Sequence, residues 1–147
     1  MDNSLGRRER GDTVRSMGTG VLKAILGFGI VSTGLHFTHN FVRVEDYPQS
    51  ETIGNGTVQA AIVISWPLFT AVAILGYRAY ARGELRRARA LLLAYALFTL
   101  VSLGHFVQGN LDIPPFWYAT IYTDVLAGLL LAAFVASTTR APRVAAQ

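Results

Sequence analysis

Three histidines and one aspartate carry most of the chemistry available to this sequence. His36 and His39 stand three residues apart, so on a helix they share a face and both rings can turn toward one centre. His105 would add a third imidazole nitrogen. Asp124 would add a carboxylate oxygen, or a hydrogen bond that fixes a histidine tautomer. Three imidazoles with an open position suit zinc-activated water, and copper accepts the same donors. A b-type haem would need axial histidines from two helices at matching depth, His39 or His36 opposite His105. In an enzyme the histidines would be metal ligands and Asp124 the orienter or base, for metal-assisted hydrolysis or redox chemistry on a lipophilic substrate. No glutamate follows His36, so the His-Glu-x-x-His metalloprotease pattern is missing. Cysteine is absent, which removes disulfides, Cys-ligated zinc, iron–sulfur clusters and thiol nucleophiles.

All four residues lie in long apolar runs. The chain has 147 residues, 52% hydrophobic and only 15% charged. Soluble domains carry about 25% charged residues, so this composition argues against a soluble enzyme, a disordered tail or a free nucleic-acid-binding module. Residues 52–77 carry no ionisable side chain besides Tyr77, 90–111 no charge apart from His105, 24–42 only the two histidines, and 113–139 only Asp124. A helix needs about 20 mostly apolar residues to cross a hydrocarbon core ~30 Å thick. Membrane strands would alternate in polarity over about ten residues, and these runs do not. The pattern predicts an all-α, polytopic membrane protein: an antiparallel bundle of four transmembrane helices over about 22–43, 56–78, 89–110 and 115–138. They make up a membrane domain over 19–139, between an Arg-rich flexible tail at 1–18 and a short tail at 140–147. The first run is read as a retained span, because its polar lead-in is long and no small-residue cleavage site follows it.

The basic residues orient the bundle. Twelve of the thirteen lie before the first span, between the second and third, or after the fourth; Arg43 alone lies on the other side. Cytoplasmic loops carry the Lys/Arg excess, which places both termini inside, in a multi-pass protein of the plasma membrane. Arginine outnumbers lysine twelve to one, a bias read as prokaryotic. Each cluster abuts a span, so the expected partner is anionic headgroups at the cytoplasmic face and not nucleic acid. Small-residue faces would also allow a homo-oligomer or a place in a larger membrane complex.

With this topology the ionisable groups fall at one level. At ~1.5 Å per residue, His39 and His36 lie about 6 and 10 Å below the outer end of the first helix, His105 about 6–9 Å and Asp124 about 12 Å. Helical spacing puts Ser32 beside His36, Ser102 and Gln108 beside His105, and Thr120 beside Asp124. Trp66 and Thr70 offer an inward stripe on the second helix, where Pro67 is expected to introduce a kink. Intramembrane ionisable groups are costly and normally face the bundle interior with partners. The expected site is therefore an outer-half pocket that binds a metal ion, haem or a small lipophilic ligand. The alternative is a non-catalytic subunit or assembly factor whose polar cluster only fastens helices through interhelical hydrogen bonds.

The first three helices also resemble the EXPERA group of four-helix membrane proteins. The resemblance rests on His36–His39 with Tyr47-Pro48, on Trp66-Pro67-Leu68, and on the Arg-rich hairpin. It implies sterol or lipid binding, or isomerase activity. The acidic residues which that group uses in its early helices have no counterpart here, so no site residue is carried over.

Overall fold

The computed structural model describes residues 3–47, 52–107 and 113–139, with side chains from residue 18 onward. It contains four long helices: α1 (Asn3–Val42), α2 (Asn55–Ala81), α3 (Leu85–Leu100) and α4 (Pro115–Thr139). Four segments are long and apolar enough to cross a membrane: Gly18–Val42 of α1, Asn55–Ala81, Leu85–Phe106, and Pro115–Thr138 of α4. Packed antiparallel, they form a ring in which α1 and α3 each touch both α2 and α4. One end of the bundle carries the arginines of the α2–α3 turn, the other the histidines.

Two elements differ from the sequence expectation. The Arg-rich lead-in, expected as a tail, continues α1 back to Asn3. Its Leu, Arg, Glu and Met residues favour helix and no proline interrupts the ladder. The third span, expected as α-helix to residue 110, tightens at Val101 into a 3₁₀ segment through Phe106. Residues i and i+3 eclipse in a 3₁₀ helix, so Ser102 and His105 fall on one edge.

The arginine half of the bundle is apolar and close-packed. Leu22 and Leu26 of α1 meet Ala73 of α2, Leu92, Tyr95 and Ala96 of α3, and Leu131 and Val135 of α4. Gly128 permits the α3–α4 approach: a Cβ there would lie 2.9 Å from Leu100 Cγ and 3.0 Å from the Ala96 carbonyl. Such close backbone approach is what small residues provide where lipid tails are as apolar as side chains. The α2–α3 turn closes on Gly83 at φ 80°. The Gly83 N–H bonds the Tyr80 carbonyl and the Glu84 N–H the Ala79 carbonyl, the paired pattern by which a left-handed glycine ends a helix.

The histidine half is packed differently. The buried residues of α2 are Ala73, Gly76 and Ala79, all in its arginine half. From Asn55 to Phe69 no residue of this helix is buried; Gln59 and Trp66 reach α1 and Phe69 stacks on Phe98 of α3, with open grooves on both flanks.

Candidate functional site

The site forms where α1, α4 and the 3₁₀ end of the third span meet. Asp124, fully buried, is its centre. His36, also fully buried, places Nδ1 2.7 Å from Asp124 Oδ2. Ser102 Oγ donates to the same oxygen at 3.1 Å, and Ser32 Oγ to Asp124 Oδ1 at 2.5 Å. A serine hydroxyl has one proton, and the carboxylate is the strongest acceptor in reach. Thr123 Oγ1, which donates to the Thr120 carbonyl at 3.0 Å, lies 2.6 Å from Ser32 Oγ. With three side-chain donors directed at it, Asp124 is a hydrogen-bonded hub that joins three of the four spans.

His36 and His105 pack edge to face with ring centroids 5.1 Å apart. Tyr47, from the turn after α1, inserts over both rings, its centroid 6.1 Å from His36 and 5.2 Å from His105. Burial, followed by Asp46 and Asp124, pushes the Tyr47 phenol far above its ordinary range. It therefore keeps its proton, and its hydroxyl is hydrogen-bonded with His39 Nδ1 at 3.0 Å. The His39 ring in turn stacks on Trp117 at 4.5 Å. Arg43, above this pair, is tied to Asp46 at 3.1 Å and Glu45 at 3.8 Å.

The structure thus brings His36, His105, Asp124, Ser32 and Ser102 together, with the Thr120 carbonyl 3.4 Å from Ser32 Oγ. His39 belongs to a separate pair with Tyr47. Trp66 faces elsewhere: its Nε1 donates to Thr33 Oγ1 at 3.3 Å, and its ring lies over Gly34. The Thr70 hydroxyl is buried without a hydrogen-bond partner, and nothing ties it to the cluster. Gln108 lies outside the described residues.

No group of three or more metal-ligating side chains among the described residues could hold an ion. His36 Nδ1 is bonded to Asp124, whereas His39 pairs with Tyr47 and stacks on Trp117. Nor does a gap for a macrocycle exist between His36 and His105, whose rings touch.

Sequence reasoning missed Tyr47 as a site residue, and also Asn40. A helix turns ~100° per residue, so relative to His36, His39 is rotated by about 60° one way and Asn40 by about 40° the other. His39 accordingly meets Trp117 of α4, whereas Asn40 lines a groove between α1, α2 and α3. That spacing was the available signal. The groove has a volume of about 670 Å³ and opens sideways, along the apolar side chains of α2 and α3. Most of its wall is apolar, including Phe37, Ile62, Phe69, Leu97 and Phe98; Asn40, Ser102 and His105 supply the polar groups on α1 and the third span. Asn40 Oδ1, His105 Nδ1 and His36 Nε2 are buried with no hydrogen-bond partner. Comparison with protein-family models, with curated proteins and with solved structures finds no match.

Proposed function

We propose that this chain is a four-span protein of a prokaryotic plasma membrane, both termini cytoplasmic, that binds a lipophilic small molecule in the groove between α1, α2 and α3. One observation carries the reading: an apolar, sideways-opening groove has Asn40 and His105 in its wall, each with a buried polar atom that lacks a partner. In a bilayer an acyl chain is as apolar as the groove, so apolar contact alone selects nothing. Selection must come from hydrogen bonds, and Asn40, Ser65, Ser102 and His105 are the polar side chains the wall offers for them. The volume suits a drug-sized ligand, for which pockets run about 300–1,000 Å³.

Native mass spectrometry of the detergent-purified chain tests this. Wild type should retain a non-covalent lipophile, and Ala61→Trp, which fills the groove from α2, should lose it. Stoichiometric zinc, copper or haem iron in place of a lipophile would overturn the proposal. Orientation has its own test, since the chain has no cysteine of its own. A single cysteine at Gly54 should react with an impermeant maleimide on intact cells, and one at Arg86 only after permeabilisation. The reverse pattern would refute the proposed topology.

A second reading has support in the saturation of Asp124 by three donors: the cluster would serve only to fasten helices. That reading accounts for Asp124 and leaves the unpartnered atoms beside the groove without a role.

A further inference from the structure

We infer that the turn after α1 is an acid-released latch: Tyr47 holds it shut over His36 and His105, and uptake of one proton by His105 opens it. Its working does not depend on what occupies the groove. The turn is built to move as a unit, because its polar bonds are internal. The Asp46 N–H bonds the Arg43 carbonyl, the Tyr47 N–H bonds the Val44 carbonyl, and Arg43 pairs with Asp46 and Glu45. Lifting the turn breaks none of these. The side chains it buries are Val44 and Tyr47. Tyr47 lies over His36, His39 and His105, with ring centroids 6.1, 5.8 and 5.2 Å away, and its hydroxyl meets His39 Nδ1. A residue from outside the spans thus covers imidazoles from two of them.

Charge supplies the trigger. One carboxylate can balance one imidazolium, and His36, 2.7 Å from Asp124, is the ring placed to be that partner. His105, its centroid 5.1 Å from that of His36, would be a second cation with no anion left for it. The other ionisable groups around it do not help. Tyr47 keeps its proton, and Glu45 and Asp46 are tied to Arg43. From α4, Tyr118 and Tyr122 pack on Phe106 and bring no charge, and α2 has no ionisable group between Asn55 and Gly76. A charge on His105 is therefore unbalanced while the turn is closed and hydrated once it lifts. The open form binds one more proton than the closed form, so acid at this face favours opening.

The test uses two single-cysteine versions of the full chain in lipid nanodiscs, since the sequence has no cysteine of its own. Val44→Cys puts a thiol at a buried position of the turn, and Gly54→Cys puts one at an exposed position. The ratio of their maleimide-labelling rates cancels the pH dependence of the thiol and reports the open fraction. It should be constant above about pH 7 and rise about tenfold per pH unit below about 6.5, the ordinary value of an imidazole in water. His105→Phe keeps a ring and removes the proton site, so its ratio should stay flat. Tyr47→Ala, which removes the anchor, should give a high ratio at every pH. A flat ratio in wild type overturns the latch, and so does a slope that survives His105→Phe. A Tyr47→Ala ratio no higher than wild type at neutral pH overturns it as well, and decides alone should His105→Phe not fold. Helical circular dichroism over the same range separates a moving turn from unfolding. If it falls as the ratio rises, the bundle is unfolding and the latch is refuted.

Discussion

The two halves of this bundle are held together by different means. Toward the arginine end, Leu22, Leu92, Ala96, Leu131 and their neighbours close the interior by shape, and Gly128 lets α4 lie against α3. Toward the histidine end, Asp124 gathers hydroxyls and an imidazole from α1 and the third span, and buried polar atoms are left over. Shape closes one half, and a hydrogen-bond network centred on one carboxylate closes the other.

The contrast can be broken experimentally, and the largest effect belongs to Asp124. Asp124→Leu strands His36 Nδ1, Ser32 and Ser102 at once. Breaking one side of a buried pair costs about 3–5 kcal/mol, and a fall of that size is expected in a denaturant titration of the purified protein. The double change His36→Leu/Asp124→Leu should recover most of it, since an apolar substitute for a buried pair is often neutral. Failure to recover would mean that the histidine half depends on its network as strictly as the other half does on shape.

Gly128→Val probes the opposite half. Its side chain would meet Leu100 and the Ala96 carbonyl, and overpacking of this kind costs about 1–3 kcal/mol. Unlike the Asp124 change, it should leave ligand retention intact once folded. A loss of ligand at unchanged stability would show that the halves are coupled.

Smaller effects are expected at the arginine end. Arg89 Nη2 donates to the Thr138 carbonyl at 2.7 Å and so covers the last turn of α4. A cation at a helix C-terminus contributes about 0.3–1 kcal/mol, and Arg89→Ala should lower the thermal midpoint accordingly. Least of all is the pH effect at Glu84. Arg82, hydrogen-bonded to it at 2.5 Å, holds this exposed carboxyl below its ordinary 4.5. Its folded value is the depressed one, so its contribution is full above pH 4.5 and declines as pH falls through the lowered value. Between pH 7 and 5, wild type and Glu84→Gln should show the same small, constant offset, read by thermal denaturation. A gap that widens over that range would contradict the assignment.

Much of this was legible in the sequence because membrane helices leave few alternatives. The apolar runs were long enough to count the spans, and ionisable residues inside them had to find one another, as His36, Asp124 and His105 do. What escaped depends on details that spacing does not carry. His39 shares a broad face with His36, yet its offset turns it to Trp117 and Tyr47, which removes the third imidazole from any common centre. Tyr47 lies beyond the span and reaches the cluster only because the 3₁₀ turn Val44–Asp46 folds back. The groove was illegible for another reason: it lies along a stretch of α2 with no buried residue, and a periodic pattern describes which face is apolar, not how close the neighbour stands.

The tightened end of the third span has one further consequence. A 3₁₀ turn takes three residues and an α turn 3.6, a difference of about 20° per residue, with about 0.5 Å more rise. From Leu100 to His105, rewinding Val101–Phe106 as α-helix would swing the imidazole by about 100° and draw the segment in by about 3 Å. The heading of His105 is thus geared to the pitch of six residues. A small change in winding there would turn one nitrogen toward or away from whatever lies beside it.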